Sequence, residues 1–296
     1  MSWLSDQLAC LPSWLLPHHA VSRLVYHLAR ARQPWLKQLL IDGLIRAYHI
    51  DLADAAQPDP RAYPDFASFF TRALRPGARP LAGDERTLVS PADGVLSAHG
   101  AIAGDRLLQA KGRSYTVPEL LGGDFALADE FTGGAFCTVY LAPGDYHRVH
   151  MPLAGTLRSM THVPGRLFSV QGATVRRIDR LFARNERLVC VFDTACGPLV
   201  VVLVGALLVS SISTVWAGEI NPHGARRGLW RKTYPASGAG SVQLARGAEL
   251  GHFAMGSTVI LLLPPGPFAW DGAVREGSAL RCGQALGAWP PAEAGQ

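Results

Sequence analysis

No two cysteines of this 296-residue chain stand at C-x-x-C spacing, and Cys10, Cys137, Cys190, Cys196 and Cys282 are odd in number. That excludes a disulfide framework and a cysteine zinc site as organising devices, and points to a reducing compartment. No apolar run reaches the roughly 18 residues a membrane-spanning helix needs. The longest, Leu199 to Val209, is rich in valine and reads as a buried strand or strand pair. A secretory signal peptide is missing too, because Asp6, Pro12, Pro17 and the pair His18-His19 interrupt any apolar stretch at the N-terminus. There is no fixed-period repeat, and low complexity is confined to the Pro/Ala-rich tail at 289–296. Acidic residues are absent from Gln7 through Ile41. Over the whole chain the basic excess is mild, 28 Lys and Arg against 23 Asp and Glu for a net charge of +5. Such an excess suits anionic lipid, phosphate or nucleic acid and selects none of them.

What is present is a hydrophobic fraction of 48%, enough for a large core in one or two domains. Up to about residue 55, Trp3, Leu4, Trp14, Leu24, Leu28, Trp35, Leu39, Leu44 and their apolar neighbours recur at helical spacing, with Arg23, Arg30, Arg32, Lys37 and Arg46 between them. Basic amphipathic helices with tryptophans are what a membrane-surface anchor requires. Helices packed on the protein's own core carry the same stripe, so the pattern alone leaves both readings open.

Pro58 to Pro60 closes this region, Tyr63 to Arg72 reads as an aromatic-rich short helix or turn, and Pro76, Gly77 and Pro80 impose a loop. Short strands then follow, parted by Gly, Pro and Asp: 87–89, 95–99, 106–111, 135–141, 156–163, 187–193, 198–208 and 214–217, with helical interruptions at 117–121 and 180–183. The fold class expected is α+β: a mainly antiparallel β core with N-terminal amphipathic helices. The boundary falls between a helical membrane-associating region, 1–60, and a β-rich catalytic domain, 61–296.

Two polar clusters stand out in the β region. Ser90-Pro91-Ala92-Asp93-Gly94-Val95 is commonly a plain turn before a strand, yet it presents a carboxylate at a fixed place. Tyr140 to Pro152 carries His147 and His150, three apart with Arg148 between them, after a Pro-Gly turn. Histidines at that spacing can share a metal, with Asp145 or His162 recruited by folding; no further ligand of obvious spacing is near, and no metal is expected. Near the C-terminal end, Met255-Gly256-Ser257-Thr258 opens an apolar run, Val259 to Leu263. Most Gly-Ser pairs are turns. Here, however, Asp93, a histidine and Ser257 together supply an orienting acid, a base and a nucleophile, and the glycine leaves its carbonyl unshielded.

Ser90 to Gly94, Asp145 to Pro152, Leu181 to Arg187, Val215 to Gly218 and Met255 to Thr258 occur in the order found in the bacterial, membrane-associated phosphatidylserine decarboxylases, a pyruvoyl-dependent family that the chain resembles over roughly residues 30 to 287. One departure is visible, Met255 where the family usually has leucine; the swap nearly conserves volume. The resemblance implies autocatalytic serinolysis. His150, held by Asp93, takes the proton of Ser257, whose oxygen attacks the Gly256 carbonyl. Elimination then frees a β chain, 1–256, from an α chain, 257–296, whose first residue, now dehydroalanine, hydrolyses to a covalent pyruvoyl group with loss of ammonia. That group condenses with the substrate amine as a Schiff base, and phosphatidylserine becomes phosphatidylethanolamine and CO2. His147 falls to this second reaction. The family pattern, not the spacing, decides which histidine does which.

The chain's only lysines are Lys37, Lys111 and Lys232, and it has no Gly-rich phosphate loop, which disfavours a pyridoxal enzyme. The implied partners are the lipid, a membrane surface and the two chains of one precursor, with no nucleic acid and a homo-oligomer left open. The implied place is the cytoplasmic face of the cell membrane, held peripherally. Arg148 and Arg166 are plausible phosphate contacts that could equally be solvated charges. One alternative is an Asp93-His150-Ser257 serine hydrolase acting at membranes, although no Gly-x-Ser-x-Gly elbow is present. Another is a membrane-bound scaffold in which both clusters are only turns.

Overall fold

The structure is a computed structural model and describes residues 18–110, 112–207, 211–222, 227–254 and 257–291. Met255 and Gly256, and the first 17 residues with Trp3 and Trp14, lie outside them. At its centre is a nine-stranded sheet. From one edge its strands run 230–233, 155–163, 187–194, 197–204, 257–263, 135–141, 94–101 and 279–280, and a short ninth at 243–244 pairs with 155–163. All of its pairings are antiparallel, which gives the expected α+β class with an antiparallel core.

The central strands read as unbroken apolar runs because both sheet faces are covered. Val201, Leu203, Val259, Leu261, Val139 and Cys137 belong to one core. Their neighbours Val200, Val202, Ile260, Leu262 and Phe136 belong to the other. The first core is completed by Val149, Ile212, Leu250 and Phe253, which lie in a smaller four-stranded sheet ordered 218–219, 212–214, 249–253, 148–150. The second is completed by the 106–110/113–116 hairpin and the short helices Val117–Leu120 and Leu181–Arg184.

Two expected strands are shorter than their apolar runs suggest. The one from 198 runs Gly197–Val204, because at Gly205 the chain leaves the sheet and its carbonyl and N–H pair with the Asn185 side chain and the Glu186 carbonyl. The one expected over 214–217 is Ile212–Thr214. The Thr214 hydroxyl accepts the Ala217 N–H at 3.2 Å and closes a turn there.

Arg187, fully interior, holds the helix-covered face together. Its guanidinium donates to the carbonyls of Leu120, Ala183, Asn185 and Glu119 at 2.6–2.9 Å. Burial without a paired carboxylate pulls its pKa down to about 10. Arg187→Leu strands four carbonyls, so we expect a loss of about 3 kcal/mol or more of stability. A urea midpoint equal to that of the parent protein would show that water satisfies those groups just as well.

The helices His18–Ala29 and Pro34–Tyr48 share a separate small core with the helix Phe66–Phe70, built on Ala29, Ile41, Phe66, Phe69 and Phe70. Asp65 caps the short helix by accepting the Ser68 N–H at 2.8 Å. Polar ties fix the long helices to the β domain: Lys37 donates to the Arg61 and Tyr63 carbonyls, and Arg30 pairs with Glu219. Leu24, Trp35 and Leu39 nevertheless stay 60–70% exposed. No helix among the described residues is long and apolar enough to cross a membrane.

Candidate active site

Three adjacent strands bring Asp93 and Ser257 to one end of the large sheet. The strand Ala135–Leu141 ends at Leu141, which pairs with Ser257 on one side, while its Tyr140 pairs with Val95 on the other. Asp93 and Ser257 therefore flank the same strand end, with backbones on the order of 10 Å apart from strand spacing. Gly94 is needed for this: a Cβ there would lie 2.2 Å from the Tyr140 carbonyl oxygen.

Side-chain alternation places Ser257 on the face of Val259 and Leu261, whose core is shared with the small sheet carrying Arg148–His150. Ser257 is fully buried, and among the described residues its Oγ has no hydrogen-bond partner. A buried hydroxyl without a partner costs about 1–3 kcal/mol, and the neighbouring Thr258 hydroxyl is in the same condition.

Beyond Leu141 the chain turns at Pro143-Gly144, and Asp145 closes the turn by accepting the Ala142 N–H at 2.7 Å. His147 follows, fully buried, its ring 4.1 Å from that of Phe70. Nδ1 donates to the Asp145 carbonyl at 2.9 Å, which leaves Nε2 as a lone pair without a partner. Burial above all, with the nearby Arg72 charge, holds its pKa down to about 3. Its own carbonyl accepts the Phe253 N–H at 3.2 Å, four residues before Ser257.

His150 is held otherwise. Its backbone N–H reaches the Pro91 carbonyl at 2.7 Å, docking it on the Asp93 loop. Its Nδ1 donates to the Gly247 carbonyl at 2.8 Å, and its Nε2 accepts from the Tyr146 hydroxyl at 2.9 Å. Burial raises the pKa of Tyr146, so the phenol keeps its proton. Asp93 accepts two bonds from Arg79 Nε, one from Nη2 at 2.6 Å, and the Cys282 N–H at 2.8 Å. Among the described residues Asp93 and His150 thus hold other partners rather than each other. Arg148 bridges the Thr71 carbonyl and Glu249, Arg166 is exposed, and His162 is paired with Glu186 away from this cluster. No group of three or more potential metal ligands occurs among the described residues.

Three neighbours were not singled out in the sequence. Tyr146 lay inside the quoted motif, where its place next to His147 was the available signal. Arg79 stood in a loop recognised only for its prolines, and Phe70 in an aromatic cluster that reads as plain core.

A buried hydroxyl at the head of a strand, a buried imidazole in the turn that follows the neighbouring strand, and a carboxylate at the next strand end are the groups the structure gathers at this end of the sheet. The family model for phosphatidylserine decarboxylase matches residues 66–288, and a second, described as PSD, matches residues 8–49. The chain is 55% identical to the phosphatidylserine decarboxylase proenzyme of Alkalilimnicola ehrlichii, over 87% of this chain and 88% of that one. It is 51% identical to that of Azotobacter vinelandii over 96% and 99%, and 50% identical to that of Pseudomonas aeruginosa over 95% and 96%. The chain belongs to the phosphatidylserine decarboxylase family.

Proposed function

We propose that this chain is a self-processing proenzyme that cuts itself between Gly256 and Ser257 and then decarboxylates phosphatidylserine at a membrane surface. The carrying observation is the coincidence of the proenzyme relatives, matched over nearly the whole chain, with a buried, unpartnered Ser257 Oγ following Gly256. Ser257 also fits the pyruvoyl group: serine, unlike threonine, leaves pyruvoyl after elimination and hydrolysis. Once formed, that group supplies the electron sink that CO2 loss from an amino-acid headgroup needs.

The remaining chemistry falls to the chain's own side chains. In processing, His150 swings from Tyr146 and Gly247 to take the Ser257 proton, and Asp93 leaves Arg79 to orient it. Each molecule makes this exchange once, so a transient rearrangement suffices. In turnover, the incoming carboxylate raises the proton affinity of His147 Nε2, which takes up from solvent the one proton that decarboxylation consumes. As CO2 leaves, that effect vanishes and the proton becomes available to the carbon. Residues 1–60 hold the protein peripherally on the cytoplasmic face through Leu24, Trp35, Leu39 and their neighbours, and 61–296 form the catalytic domain. A serine hydrolase is not favoured, since its relatives would not be proenzymes of a decarboxylase.

The test is intact-mass analysis of active protein with a CO2-release assay on dispersed phosphatidylserine against free serine. Two chains divided at 256/257 and preference for the lipid are expected. A single uncut chain in active material would sink the proposal.

A further inference from the structure

Two cavities involve the N-terminal helices, and their lining residues are neighbours in the chain. One, about 320 Å³, is lined by Arg30, Arg32, Ser68, Thr71, His252 and Ala254. Ala254, which lines this hollow, is three residues before Ser257 in the chain. Asp65 is its one acid, and that carboxylate already accepts the Ser68 N–H and hydroxyl. Against it stand two guanidinium groups. Arg30 pairs with Glu219 through Nη2 and lies over the Tyr26 ring, its buried Nη1 has no hydrogen-bond partner among the described residues, and Arg32 is exposed. The second cavity, about 390 Å³, is an apolar groove between the two long helices, lined by Leu28, Leu39, Leu40, Gly43, Leu44 and Phe66 among others. Ala29 and Phe66 line the groove and their chain neighbours Arg30 and Ala67 line the hollow, so the two are consecutive along both segments.

We propose that the hollow binds the phosphodiester of the diacyl substrate through Arg30 and Arg32, while one acyl chain follows the helix–helix groove. The inference rests on the lipid-decarboxylase reading and assigns its binding subsites. A planar guanidinium pairs two phosphate oxygens at once, and the unpartnered Nη1 of Arg30 is satisfied when it does so. The amphiphile matches the sequence of surfaces: apolar between the helices, cationic at their connection, reactive at residue 257. The groove has room for a chain at Gly43, where an added Cβ would meet nothing within 4 Å.

The test compares Arg30→Gln/Arg32→Gln and Gly43→Leu with the parent protein on phosphatidylserine vesicles and on water-soluble glycerophosphoserine. Cleavage into two chains reports that each variant has folded. The arginine variant should raise KM about tenfold or more on both substrates, since each loses a charged hydrogen bond. Gly43→Leu fills the groove and should lose more on vesicles than on the deacylated compound. Parent-like KM values in both variants overturn the proposal. So does an arginine effect confined to vesicles, which would mean that the cations only attract the bilayer. If the double variant fails to process, Arg32→Gln alone carries the phosphate test. A parent protein releasing no CO2 from either substrate would instead overturn the functional reading itself.

Discussion

Ser257→Ala protein should accumulate as one uncut chain, with no CO2 released from phosphatidylserine. The hydroxyl is at once the attacking group in processing and the atom whose loss leaves the reactive carbonyl, so removing it abolishes both steps rather than slowing them. The fold should not suffer. Ser257 is wholly buried and its Oγ is unpartnered, so alanine removes a polar group that gains nothing from the interior. We expect the variant to be as stable as the unprocessed parent or more so, by about 1 kcal/mol. Intact mass and a denaturation curve on the same sample check both halves. Two chains from Ser257→Ala would place the cut elsewhere, and a marked fall in stability would mean that the hydroxyl has a structural partner.

The architecture behind this expectation was largely legible in the sequence, because its determinants are local. The segments 135–141, 187–194 and 257–263 are short apolar runs between turn residues, and each forms a central strand of the large sheet. The apolar residues up to about position 55 recur at helical spacing, and the helix of residues 34–48 lies among them. Contacts set by the third dimension left no such trace. Asp93 and Arg79 are 14 residues apart across a proline-rich loop, and no periodicity pairs them. The bonds of His150 to Tyr146 and to the Gly247 carbonyl were equally invisible. Spacing could show that two histidines sit near a turn. It could not show that one is sealed against Phe70 while the other holds a tyrosine.

His147→Gln, the second large effect, should cleave like the parent and then turn over phosphatidylserine about 10²- to 10⁴-fold more slowly, the usual range for losing a general acid–base group. Processing in this scheme draws on His150, so the two activities separate. If the variant fails to cleave although it is folded, His147 is the processing base, a role its register beside Phe253 would also allow. The same substitution carries a signature in acid. The folded chain holds His147 neutral down to about pH 3, whereas its ordinary value is 6.5. As the pH falls below about 6.5 the unfolded state therefore takes up the proton first. The stabilisation is fully present above that pH and is withdrawn towards pH 3, at about 1.4 kcal/mol per unit. Glutamine has no proton to gain, so the unfolding free energy of the variant should fall less steeply through this window. Parallel slopes for parent and variant would mean that His147 is charged or solvated in the native state, and the proton exchange drawn from its buried, unpartnered Nε2 would fall with it.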